Sequence, residues 1–364
     1  LLKAGADVNA IGGEKGTPLQ YAAWSEDIET VRFLLNAGAD VTSEVPISGS
    51  YGTALQAAAF VESVEIVREL LDAGAAVNVS PANGEYGCAL SAAACVEDQE
   101  QAEDGEMVRL LLDHGADVNF EGGIHHLPLM SAAQVPNHAI LELLLEHGAD
   151  ARGRGGQWGT TLIAAAHGNS LPCVKSLVDH GADVHATGGH YGSALQAAAI
   201  KGDMELIEYI LDHAPELVNF RDGKYHTPLI AAAYFGRIEV VEKLLNIGAN
   251  FQFQGGKFRS VITAAAIKGH KAILEKFLNM GPDERLIDEA LVEAVAHRQA
   301  ASVDLLLQSR ANVMTRHPTL GTPSDALEAP EIVEENSDDE NLEDDDDDDD
   351  DDSDDDDDVE VQWE

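Results

Sequence analysis

Cysteine is scarce. Cys88, Cys95 and Cys173 are the only three in 364 residues, too few and too scattered for a disulfide framework or a zinc knuckle. They read as small apolar core residues of a reducing compartment. Aromatic residues make up 5% of the chain; with so few large rings and so much alanine, tightly stacked helices are expected rather than a β-sandwich. No run of about 18 apolar residues occurs, and no signal-peptide pattern opens the chain. Neither a membrane span nor export is expected, and the expected location is cytoplasmic, with the nucleus as the alternative. Basic residues are outnumbered, 22 against 66 acids, for a net charge of -44. Such a chain repels phosphate, which argues against nucleic acid as a partner. Also missing are a Gly-rich phosphate loop ending in Lys-Ser or Lys-Thr, a Gly-x-Ser-x-Gly and a His-Glu-x-x-His. No enzymatic activity, no metal and no cofactor are expected.

The negative charge is uneven. Residues 325–364 hold 25 acids and no base, including Asp344 to Asp352 and Asp354 to Asp358. That run has no apolar surface to offset chain entropy and it repels itself, so residues 315–364 are expected to form a disordered Asp-rich tail. It could bind basic proteins by mimicking nucleic acid, buffer divalent ions weakly, or contact basic parts of its own chain. A rigid Ca²⁺ site is excluded, because the run has no Gly turn and no ligand spacing. Ser337 and Ser353, set among acids, fit an acid-directed kinase.

What is abundant is repetition. The leading apolar residue before each Ala-rich segment stands at Leu19, Leu55, Leu90, Leu129, Leu162, Leu195, Leu229 and Ile262, with gaps of 33 to 39 residues. Strings such as GTPLQYAA (16–23), GTALQAAA (52–59), GSALQAAA (192–199) and HTPLIAAA (226–233) open units, and VRFLLNAGADV (31–41), VRLLLDHGADVN (108–119) and VVEKLLNIGANF (240–251) close them. Pairs such as Ala198-Ala199 let first helices approach to about 8 Å. Val67, Leu70 and Leu71, or Val241, Leu244 and Leu245, mark one buried stripe on each second helix, and a glycine such as Gly38 or Gly248 ends it in a left-handed conformation. Period and wording resemble the ankyrin repeat family. The resemblance covers residues 1–314, with an N-terminal half-unit, eight complete units and a degenerate C-terminal capping unit. It implies an all-α fold, an ankyrin-repeat α-solenoid of helix-turn-helix units joined by hairpin fingers, which binds a protein partner on its concave face and fingers.

Departures from the family pattern carry expectations of their own. The family reads TPLH at the opening, but the last position here is Gln20, Gln56, Ser91, Met130, Ile163, Gln196, Ile230 and Thr263. Without that His, looser units are expected. An acidic insertion, Glu97 to Asp104, is expected to lengthen one inter-helix turn. The last unit, about residues 286–314, lacks both the Thr-Pro opening and the Gly-Ala-Asp stop, as a terminal cap would. The chain opens in mid-unit with LLKAGADVNA and no initiating Met, so it is expected to be a fragment.

The segments between units hold one recurring aromatic: Tyr51, Tyr86, Trp158, Tyr191, Tyr225 and Phe258, with Lys15 and His125 at the corresponding places. In ankyrin folds this register is the finger row. Flanking glycines are expected to leave the tips mobile and the rings accessible for contact; packing of each ring on the adjacent finger is the competing expectation. Residues 201–285 carry 11 bases and 11 acids, whereas residues 1–200 carry 8 and 26. Lys224, Lys257 and Arg259, together with Arg221, make a basic cluster in two successive fingers, suited to docking a partner or the chain's own tail. His114, His147 and His180 stand just before stop glycines, where a cation complements the helix C-terminus, and they are expected to be caps rather than ligands. The Gly-Gly-x-aromatic-Gly wording also resembles the arrays of fungal NLR-like multidomain proteins, which implies a rival reading as the ligand-sensing end of a larger signalling NTPase.

Overall fold

A computed structural model describes residues 6–12, 16–43, 52–80, 86–96, 105–124, 126–309, 311–314, 317 and 320–328. The chain divides into residues 1–331 and residues 332–364. The second part, with its Asp run, Ser337 and Ser353, lies outside the described residues, as do the insertion at 97–104, Tyr51, Lys15 and His125.

The array is built from helix pairs: α1 (Pro18–Trp24) with α2 (Ile28–Asn36), α3 (Ala54–Phe60) with α4 (Val64–Asp72), α5 (Ala89–Ala94) with α6 (Glu106–Asp113), and α7 (Pro128–Gln134) with α8 (His138–Glu146). The pairing continues through α9 (Thr161–His167) with α10 (Leu171–Asp179), α11 (Ala194–Lys201) with α12 (Met204–His213), α13 (Pro228–Tyr234) with α14 (Ile238–Asn246), and α15 (Val261–Lys268) with α16 (Lys271–Asn279). A longer α17 (Glu284–Ala296) and α18 (Ala300–Gln308) form the last pair, and a short α19 (Pro323–Glu328) follows. Each first helix packs on the first helices before and after it, from α1 on α3 through to α15 on α17, so these make a continuous layer.

Local chemistry explains the short first helices. In seven of the eight regular units the residue before the helix caps it: Thr17, Thr53, Cys88, Thr160, Ser193, Thr227 and Ser260 each accept a hydrogen bond from the backbone N–H three residues on. This satisfies a donor that the first turn leaves open. Leu127 stands at that place before α7 and makes no such bond. The Ala pairs are buried throughout, Ala198 and Ala199 among them. At the other end, Gly248 has φ 94°, with its N–H bonded to Leu245 O and the next N–H to Leu244 O, a Schellman closure. The capping histidines act as expected. His114, His147 and His180 place Nδ1 2.8 Å from the carbonyl four residues back, and His213 and His297 make the same contact at 2.7 and 2.9 Å.

Two expectations are corrected. The units that carry Gln in place of the family His are tied together rather than loosened. Gln56 accepts from Gly52 N at 2.8 Å and donates to Gly87 O of the next finger at 3.0 Å; Gln20 makes the equivalent bonds to Thr17 N and Gly52 O, and Gln196 donates to Asp222 O. An amide offers one acceptor and a donor on the far side, which is what a bridge between successive units requires. Asparagines of the closing motif add a second tie: Asn119 donates to Gly148 O and accepts from Asp150 N, and Asn78 and Asn219 repeat the pattern.

The folded array also does not stop at 314. His317 is buried, it forms a bridge with Gly321 like that between Gly122 and His126, and α19 packs on α17 with Ala326 buried. Thr322 caps α19 through Asp325. Residues 317 and 320–328 thus belong to the finger and first helix of a further unit.

The exposed faces of the second helices carry a ladder of ion pairs. Arg32 pairs with Glu69 at 2.8 Å near the start; further on Glu208 pairs with Lys243, and Glu242 with Lys276 at 2.6 Å. The same two register positions are used in each, but base and acid have changed places.

Candidate protein-interaction surface

The hairpin fingers are set by glycine-rich turns. β1 (Arg154–Gly155) pairs antiparallel with β2 (Gly159–Thr160), and β3 (Thr187–Gly188) with β4 (Gly192–Ser193). Successive fingers are bonded through their main chains: His190 N to Gln157 O at 2.8 Å, Lys224 N to His190 O at 2.9 Å, and Lys257 N to Lys224 O at 3.4 Å. The glycines permit this close approach. Gly159 has φ 79°, and a Cβ there would collide with the Gly188 carbonyl. The described fingers from Gln157 to Lys257 are therefore one hydrogen-bonded edge, not separate mobile tips.

The finger aromatics are not accessible as expected. Trp158, Tyr191, Tyr225 and Phe258 are all at most 4% exposed. They stack in order, with centroids 5.5 Å, 6.4 Å and 5.5 Å apart and ring planes within 13° of parallel. Side chains from the ends of first helices fill the spaces between them. The His167 ring lies 4.5 Å from Trp158 and 4.7 Å from Tyr191 and is hydrogen-bonded to the Tyr191 hydroxyl; the Tyr234 ring lies 4.1 Å from Phe258. Tyr86 is half-buried against Phe60, 5.2 Å away. Among the described fingers the ring is a packing element that joins finger to helix.

The cations occupy the outer side of this ladder. Lys224 Nζ lies 5.5 Å from the Tyr225 centroid, Lys257 Nζ 5.4 Å from Phe258, and Lys268 Nζ 4.9 Å from Tyr234, distances at which a ring face attracts an ammonium. Arg221 stands 4.9 Å from Phe253. Arg259 departs from the expected docking cluster: its guanidinium lies 3.8 Å from Glu289 and 2.7 Å from His317, so it ties the finger to the last unit. Lys268 and Tyr234 were not legible as site residues, because they sit at helix ends and only their distance from the fingers reveals them.

Other groups are committed to structure. Burial pushes the Cys88 and Cys173 thiols up, away from a reactive thiolate. An open hollow of about 320 Å³ includes Arg152, Arg154, Thr160 and Asp183 in its lining, but Arg152 donates to Gly181 O and Asp183 accepts from His185 N. Among the described residues, no group of three His, Cys, Asp or Glu side chains is arranged to hold a metal ion, and no helix is long and apolar enough to cross a membrane.

A search of curated proteins returned no match. The family profile described as ankyrin repeats (3 copies) matches residues 101–188 and 161–255, and the single ankyrin repeat profile matches residues 15–44 and 52–80. These matches together span more than half of the chain and agree in register with the capped helix pairs and linked fingers, so the chain belongs to the ankyrin repeat family.

Proposed function

We propose that the array is a non-catalytic recognition module that binds a protein partner along its fingers and the adjoining ends of its first helices, the concave face of an ankyrin stack. Ankyrin repeats are in general protein-protein interaction modules. The observation that carries the reading is the finger edge itself. Main-chain bonds join successive fingers from Gln157 to Lys257, and a buried ring ladder backs them, so the edge meets a partner already ordered. A surface ordered before contact loses little entropy on binding.

Cross-linking of the chain to a partner captured from its native source, read by mass spectrometry, tests this. Cross-links should fall on the fingers and first-helix ends, for example at Lys201, Lys224 and Lys257. Cross-links confined to the second helices, at Lys243 and Lys276, would overturn the reading.

A further inference from the structure

We propose that Lys224, Lys257 and Lys268 form a subsite for an extended acidic peptide segment of the protein partner, one carrying Asp or Glu at alternate positions. This rests on the reading of the finger edge as the binding surface and specifies what it binds. The three ammonium groups come from two fingers and one first helix, yet they converge on a single cluster of rings, Tyr225, Tyr234 and Phe258, whose centroids are 4.1 to 5.8 Å apart. The rings are buried, so they serve as fixed platforms that hold the lysine stems and keep the charges at the rim. Long flexible side chains lose rotamer freedom on binding, and a platform reduces that loss.

Charge selects the occupant. Residues 1–200 carry a net -18, while residues 201–285 are balanced, so an acidic segment is repelled along the first part of the array and tolerated only in the later units. Spacing selects its form. The ladder repeats every 5.5 to 6.4 Å, close to the roughly 6.6 Å that separates side chains on one face of an extended strand. A strand laid along the finger edge therefore presents every second residue to successive fingers. The buried rings offer no open faces for bases to stack on, which disfavours a single-stranded nucleic acid in the same groove.

The test uses the full chain and a fluorescent peptide of alternating Asp and Thr, read by anisotropy at low and at physiological salt. K224E/K257E should weaken binding about tenfold or more, whereas K243E/K276E, an equal charge change on the second helices, should alter it by no more than about twofold. The chain's own acidic residues are common to all three proteins and cancel in the comparison. Equal weakening by the two variants, unchanged affinity in K224E/K257E, or no measurable binding at low salt overturns the proposal. So does tighter binding of a length-matched single-stranded DNA or of phosphatidylserine vesicles than of the peptide. Partner cross-links on the fingers together with unchanged peptide affinity would sink the acidic-peptide assignment alone and leave the broader function standing.

Discussion

A glycine that ends a second helix and a glycine in a finger look alike in the sequence, but they are constrained differently. Gly248 has φ 94° and open space where a Cβ would go, so Gly248→Ala meets only the backbone cost of a left-handed residue, about 1 kcal/mol. Gly159 combines φ 79° with a backbone collision. Gly159→Ala should cost clearly more, about 2 kcal/mol or above, because the neighbouring finger has to shift. Urea midpoints of the two variants check this, and equal losses would show that finger contact does not hold Gly159. A second residue-scale expectation concerns pH. Burial holds the His270 imidazole below its ordinary value of 6.5, with Lys268 and Arg237 adding and its hydrogen bond to the Tyr234 carbonyl opposing. The unfolded chain therefore takes up the proton first as pH falls. Stability from this group is complete above about 6.5 and declines as pH drops through that value toward the folded-state pKa. His270→Gln should flatten the fall in thermal midpoint between about pH 7 and pH 5; an unchanged slope would remove His270 from the account.

At the scale of the element, the ring ladder decides between two readings that one sequence pattern supports. A ring recurring once per unit is produced equally by repeated contact with a partner and by repeated packing, and no single sequence separates them. Burial does. Tyr191→Ala should lower stability by about 3 to 5 kcal/mol, since the ring stacks on both Trp158 and Tyr225 and bonds His167. A thermal midpoint that barely moves would return the ladder to the accessible surface. The helices themselves were legible. Their period, caps and stop glycines are dictated by local chemistry, so Thr53, Gly248 and His180 stand where the wording puts them. What local chemistry leaves undetermined is a bond across 31 residues, such as that from Gln56 to Gly87. Gln was legible there as an absent His, and its amide's ability to serve both units was not.

For the array as a whole, the point where it ends was misplaced by composition. The Gly-Thr-Pro opening at residues 321–323 is the same signal that starts α1, but it is followed by an acid-rich stretch whose charge hid it. His317 contacts Arg259 and Glu293, and α19 covers part of α17. A chain ended at residue 314 should therefore lose about 1 to 3 kcal/mol, since buried polar groups are left without partners, whereas one ended at residue 331 should match the full chain. Urea unfolding of the two shortened chains measures this, and equal stabilities would mean that α19 adds nothing to the array.

The exchange of base and acid along the second-helix ladder makes the units non-interchangeable. If the unit bearing Lys276 followed the one bearing Arg68, two cations would meet at the seam; if the unit bearing Glu69 followed the one bearing Glu242, two carboxylates would meet. Each mismatch is small, a few tenths of a kcal/mol to about 1. Exchange of neighbours can clash as well: Lys175, which now lies 5.6 Å from the Tyr209 ring, would face Lys243 if the units of α12 and α14 traded places. The ladder thus acts as a local address, under which a chimera assembled by recombination keeps a seam only where the two facing register positions carry opposite signs, as Glu242 and Lys276 do.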